Sequence, residues 1–350
     1  MRVPRPLIAA LTACGLLLLA RTMPVAGQRT APEDGGPILG TGAFTSFVEN
    51  MDRSLAFYHE AFGMEVPELP ATGARPYNPA NAQLFAMFDI PGARERHQSA
   101  RVPGTDLRVE FMEVQDVPHA TIPLRIQDPG TATLVFVVGD VDASLARARG
   151  AGAAVITPGG RPVALAGGAR AVLIRDVDGR FIELRRTAAG ARGGSRIVDM
   201  RLSIAVADMV RTTHVYRDVL GFTMEGETAF TAEPQMRALT GLSSLDVHRA
   251  NASVAGSPLQ IEFVEYRGVD RTPLRMRIQD RGAARLQLRA RDVDTIVAAM
   301  KGAGLTVASR GGEAVPIPPN LKGALVADPD NFFLTPFAPC DGCAPTLRRE

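Results

Sequence analysis

Five histidines, three cysteines and a set of repeated glutamates are the residues of this 350-residue chain best suited to chemistry. Imidazole nitrogen and carboxylate oxygen together suit Fe, Mn, Ni or Zn, so His59, His97, His119, His214 and His248 are weighed first. His59 and His214 fall in helical segments, on or beside the polar face, and read as solvent-facing. His97 and His248 precede alternating runs as Arg96-His97 and His248-Arg249. Aligned through the following glutamates, the two point to opposite faces, as groove-rim or surface residues. Cys340 and Cys343 form a CxxC with no second CxxC to complete a zinc site and no thioredoxin-like context; a small loop disulfide is expected. No Ser–His–Asp set or Cys–His pair stands out. Gly159-Gly160 and Gly311-Gly312 precede no helix pattern, so they are turns rather than phosphate cradles.

The elements that must position these residues are visible as an internal repeat. Asn50-Met51-Asp52-Arg53, Tyr58 and Phe62-Gly63-Met64 recur as Asp208-Met209-Val210-Arg211, Tyr216 and Leu220-Gly221-Phe222. Leu107 to Glu113 matches Leu259 to Glu265, and Arg125-Ile126-Gln127-Asp128 returns letter for letter as Arg277 to Asp280. Each half is itself double. Four apolar strands run into Asn50, Asp140, Asp208 or Asp292, each suited to cap a helix by accepting a backbone N–H. Each helix then closes on a glycine suited to the left-handed position, near Gly150 or Gly152 and Gly302 or Gly304 in the second and fourth repeats. Three short strands follow, closing with alternating runs such as Phe181-Ile182-Glu183-Leu184. The pattern is strand–helix–three strands, four times. Tyr58 and Tyr216 are expected to pack their rings while their hydroxyls reach backbone. The repeated Arg-Ile-Gln-Asp segment reads as a crossover strap, with Arg125 or Arg277 bonding a carboxylate or carbonyl, in preference to an anion clamp.

These residues, together with Asp176-x-Asp-Gly-x-x-Ile-Glu-Leu184, resemble the vicinal oxygen chelate superfamily of glyoxalase I, extradiol dioxygenases, and fosfomycin and bleomycin resistance proteins. The resemblance covers roughly residues 39–338. It implies paired modules curled around a groove, with a divalent ion held by a histidine early in the first strand and a glutamate in the last. Seven residues before each capping residue, however, stand Ala43, Thr133, Arg201 and Arg285. The glutamate positions hold Glu110, Glu183, Glu262 and, in the fourth module, Thr335. The ion's usual ligand set is absent from both halves. Glu110 and Glu183 would face each other across the first groove, where two carboxylates hold Ca²⁺ or Mg²⁺ only weakly. The plainer reading has them satisfying hydroxyls or arginines. In the second groove Arg201 and Arg285 would meet one carboxylate, Glu262, and leave a positive charge for an anionic ligand.

Composition bounds the rest. Thirty-nine basic against 37 acidic side chains give +2, too little field for nucleic acid. Arg2 and Arg5, the apolar run Leu7 to Ala20 and the small residues Val25-Ala26-Gly27 read as a signal peptide, too short for a membrane span. Leu11-Thr12-Ala13-Cys14 also fits a lipoprotein box, but Leu16 to Leu19 continue the apolar stretch beyond Cys14, so ordinary cleavage is preferred. The chain is expected to be α+β, with four βαβββ modules forming two tandem glyoxalase-like domains at 39–188 and 197–338. A signal peptide (1–27) and linker (28–38) precede them, 189–196 joins them, and a CxxC tail (339–350) follows. The expected function is an exported glyoxalase- or bleomycin-resistance-like protein without a transition metal. It would bind a small, anionic molecule through Arg201, Arg285, Glu262, Glu110 and Glu183. The alternatives are a lyase, isomerase or dioxygenase with a non-standard site near Glu110 and Glu183, and a structural or partner-interaction module.

Overall fold

The computed structural model describes residues 36–67, 73–78, 82–187, 196–317, 319–340 and 343. The expected signal peptide, Cys14, and most of the 28–38 segment, the 189–196 linker and the tail lie outside the described residues. Cys340 and Cys343 are disulfide-bonded. No described helix is long and apolar enough to cross a membrane.

The first module runs β1 (Ile38–Phe47), α1 (Met51–Phe62), α2 (Ala82–Phe88), β2 (Arg94–Arg101) and β3 (Arg108–Gln115). The second contributes β4 (Ala132–Val138), α3 (Val141–Gly150), β5 (Arg170–Arg175) and β6 (Phe181–Arg186). The third has β7 (Ile197–Val206), α4 (Met209–Thr213, continued by a π turn to Val219), α5 (Pro234–Thr240), β8 (Asp246–Ser253) and β9 (Gln260–Arg267). The fourth has β10 (Ala284–Ala290), α6 (Val293–Gly302) and β11 (Phe333–Pro339), with short edge strands between them. All four expected caps form: Asn50 accepts from Arg53 N, Asp140 from Asp142 and Ala143 N, Asp208 from Arg211 N, and Asp292 from Thr295 N. A second carboxylate reaches two of these helix starts, where Met51 N donates to Glu113 and Met209 N to Glu265, each at 2.9 Å. Negative charge there satisfies orphan N–H groups and complements the helix dipole.

The modules assemble into two mixed sheets, but neither sheet is one sequence half. In the first, β2–β3–β1 of module one joins β10–β11 of module four; in the second, β5–β6–β4 of module two joins β7–β9–β8 of module three. The seams are antiparallel, Thr45 opposite Arg285 in β1–β10 and Val135 opposite Arg201 in β4–β7. This corrects the expectation that each half closes around its own groove. All four modules carry the same strand pattern, so sequence periodicity does not specify which edge strand finds which. Modules of one half meet through their helices instead, α1 against α3 and the π turn against α6, within a core cluster that draws on all four modules.

Tyr58 and Tyr216 pack as expected, against Phe111 at 4.7 Å and Phe263 at 4.5 Å between ring centroids. Their hydroxyls, expected on backbone, donate to the carboxylates of Asp176 (2.8 Å) and Asp328 (2.9 Å) in the next module's turn. Burial first, then a neighbouring aspartate, pushes Asp176 up to about 6 and Asp328 to about 7. In the fourth module Asn331 (φ 66°) adopts the left-handed conformation that Gly179 (φ 85°) has in the second. Asparagine is one of the few non-glycine residues that visit that region readily, and its side chain here also donates to Met276 O of the neighbouring crossover. The straps behave as straps. Arg125 is held by Asp128 and Arg277 by Asp280, while Asp128 accepts from Thr272 N and Asp280 from Ala120 N, each at 2.8 Å. Each crossover thus pins the other.

Arg180, 1% exposed, ties the two sheets together. Its Nε donates to Ser46 Oγ (2.9 Å) and its Nη2 to the carbonyls of Gly282 and Ala283. Because seams and core both cross the halves, a protease site placed within 188–195 and cleaved should leave two fragments that stay together in native gel filtration. Release of a folded 36–187 fragment would contradict the pairing.

Candidate functional site

In every module the residue beside the glutamate position stands two beyond the position counted for histidine. The parallel registers match Thr45 with Glu110, Val135 with Glu183, Ser203 with Glu262, and Gln287 with Thr335. Strand alternation then presents each pair on one face, the face covered by α2 in the first sheet and α5 in the second. Phe85, Met87 and Phe88 of α2 and Met236 and Leu239 of α5 are buried in those covers. Each sheet therefore brings together two counted histidine positions and two glutamate positions, drawn from different halves.

In the first sheet the central group is an ion pair. Glu110 Oε2 accepts from Thr45 Oγ1 at 2.7 Å and from Arg285 Nη2 and Gln287 Nε2 at 3.1 Å each. Arg285 is 5% exposed; its Nη1 donates to Thr335 Oγ1, and its guanidinium lies 5.0 Å from the centroid of the Phe88 ring. Burial lowers the pKa of Arg285, and Glu110 opposes that shift. Its Nε is buried without a hydrogen-bond partner. Beside this pair His97 Nδ1 is 2.8 Å from Glu95, which also accepts from Asn78. Burial alone would raise Glu95, but bonds from His97 and Asn78 hold it below the usual range. The hydrogen bond to Glu95 raises His97 in turn.

The second sheet holds a longer network. Arg185 pairs with Glu183 at 2.5 Å; Arg249 bridges Glu262 at 2.7 Å and Glu233 at 3.0 Å. Burial would raise Glu262, yet Arg249 and Arg185 pull it below the usual carboxylate range. Arg201, with its side chain 45% exposed, makes a loose 3.4 Å contact to Asp199 and no other ion pair among the described residues. It opens onto a cavity of about 340 Å³ that Arg185, Asn251, Gln260 and Glu262 also line.

Two expected juxtapositions are therefore corrected. Glu110 and Glu183 do not share a groove, and Arg201 and Arg285 do not meet around Glu262; each pair is split between the sheets. Glu110 takes Arg285 as its partner, and Glu262 takes Arg249. Sequence reading passed over Arg185, Arg249, Glu233, Glu95 and Gln287. Arg185 was visible two residues after Glu183 on the same strand face, and Arg249 lies on the opposite strand face to His248. Glu233, just ahead of α5, carried no such signal.

A divalent transition metal does not fit either set. In the first sheet Glu110 Oε2 is already bound by three donors, one of them a buried guanidinium that would repel a cation, and the neighbouring Glu95 is bound by His97 and Asn78. In the second sheet both carboxylates are bound to arginines. Among the described residues, no three His, Cys, Asp or Glu side chains converge as a metal-holding group.

Residues 41–184 match the family model of the Glyoxalase/Bleomycin resistance protein/Dioxygenase superfamily. Glyoxalase I from Zea mays superposes with a TM-score of 0.55 at 15% identity, over 87% of this chain and 92% of that one. A putative dioxygenase from Bacillus subtilis superposes with a TM-score of 0.50 at 13% identity, over 89% of this chain and 88% of its own. Likeness at these identities concerns the fold alone. Among curated proteins none matches the sequence. Residues 41–184 thus match the model of the Glyoxalase/Bleomycin resistance protein/Dioxygenase superfamily, and the four repeated modules in two mixed sheets share the fold of these solved structures.

Proposed function

We propose that this protein is an exported binder of a small polar anion, working without the transition-metal site of that superfamily. The observation that carries the reading is the bond between the buried Arg285 and Glu110, which occupies the carboxylate a metal would need. An acyl or proton-transfer role for Glu110 or Glu183 is not supported. Each is held by an arginine, and Glu110 by two further donors. The cavity at Arg201 is the better place for a ligand. Arg201 is loosely held at its exposed contact with Asp199, and such contacts contribute little on their own. The amides of Asn251 and Gln260 line the same space and supply neutral donors. A carboxylate accepts from a guanidinium in paired, directional bonds, and a cavity of about 340 Å³ suits a small molecule. Export rests on the basic, apolar and small-residue pattern of residues 1–27. Sequencing of the secreted protein should start near Gln28, and an acylated Cys14 would replace that reading with lipid anchoring.

Binding is tested by calorimetric titration of the full mature chain with a panel of small mono- and dicarboxylates. At least one should bind, and Arg201→Ala should weaken it about tenfold, roughly 1.4 kcal/mol. Equal affinity in the variant, or no binding across the panel, would reject the site.

A further inference from the structure

The two sequence halves repeat the same modules in the same order, so each is a control for the other, and one of their differences opens a space. In the first half Arg175 donates to Leu124 O at 2.6 Å and lies 4.4 Å from the centroid of the Phe181 ring. The matching residue of the second half is Ala327, and Phe181 is matched by Phe333. Where the arginine would have lain there is a cavity of about 650 Å³, lined by Ala327 and floored by Phe88, Leu274, Leu325 and Phe333. The carbonyl matching Leu124 O is Met276 O, and it is already taken by Asn331 Nδ2 at 3.0 Å. The space therefore does not ask for a cation to replace the missing guanidinium.

Its rim points the other way. Arg53 of the first half is paired with Asp178 at 2.8 Å. Its counterpart Arg211 lines the cavity and makes no side-chain ion pair among the described residues. Arg275, which stands where the first half has Pro123, lines the same rim, exposed and likewise without an ion pair. Two of the carboxylates nearby have their own partners: Asp328 accepts from Tyr216 and from the N–H groups of Asp330 and Phe332, and Asp89 pairs with Arg310. Asp330 accepts from Ala207 N and feels the charges of Arg211 and Arg271, without a side-chain ion pair to either among the described residues. We propose that this cavity binds an organic anion with an aromatic or branched apolar body, its carboxylate held by Arg211 and Arg275 and its body over Phe333. The lining joins an apolar floor to a largely polar rim, which suits a ligand with one apolar and one charged end, and about 650 Å³ lies within the usual size range of a small-molecule site. This site is separate from the cavity at Arg201 and stands whether or not that one binds.

The test is equilibrium binding of phenylacetate to the full mature chain, with phenylacetamide as the neutral probe. Phenylacetate should bind at least about tenfold more tightly than the amide, a difference of roughly 1.4 kcal/mol. Ala327→Arg, which restores the filling of the first half, should abolish binding while the unfolding temperature stays near that of the parent. The surface variant Arg211→Ala with Arg275→Ala keeps the cavity and should weaken phenylacetate, but not the amide, about tenfold or more. Amide binding as tight as the acid, unchanged affinity in the double variant, or full binding by a folded Ala327→Arg would each overturn the assignment.

Discussion

The buried bond between Arg285 and Glu110 is the constraint on which the chemistry of this molecule turns. It crosses the seam between β1 and β3 of the first module and β10 of the fourth, so it links the first and last modules as well as filling the centre of a groove. A guanidinium that is 5% exposed is costly to desolvate. Glu110 offsets the charge, Thr335 takes a second guanidinium N–H, and Thr45 and Gln287 complete the shell of the carboxylate. Removing either charged partner would strand the other in a dry site, a loss of about 3–5 kcal/mol in comparable buried pairs. The group that closes the metal position is thereby part of what holds the sheet together.

The second sheet solves a similar problem with more groups. Glu183 and Glu262 survive at the glutamate positions, and Arg185 and Arg249 neutralise them. Arg249 extends the network to Glu233, just ahead of α5, which fixes the helix that covers this groove. Arg201 at the edge has only a loose partner among the described residues. Duplication thus left two grooves of one ancestry with different electrostatics. One is closed by an internal cation, and the other is balanced in its interior with a donor at its mouth.

Much of the fold was legible because it is written in local chemistry. Asn50, Asp140, Asp208 and Asp292 cap helices wherever they occur, and the Asp-x-Asp turns are recognisable even where Asn331 replaces glycine. The identities at the ligand positions were also readable, since counting along a strand needs no tertiary information. Partner choice was not. Four modules with the same alternation offer equivalent strand edges, and the pairings of first with fourth and second with third are settled by backbone registry and by contacts such as Arg180 with Ser46 and Ala283. That is why Arg285 was expected near Glu262 and is found on Glu110. The same limit hid Arg249 and Glu233, which become neighbours only once β8, β9 and α5 are in place.

The account stands or falls on the position held by Arg285. The most direct measurement is metal content by plasma mass spectrometry on protein produced in medium containing Fe, Mn, Ni and Zn and purified without chelator. The parent chain is expected to carry none of them in stoichiometric amount, because a buried guanidinium already occupies the carboxylate. One equivalent of any of these metals in either sheet, removable by chelator, would contradict it.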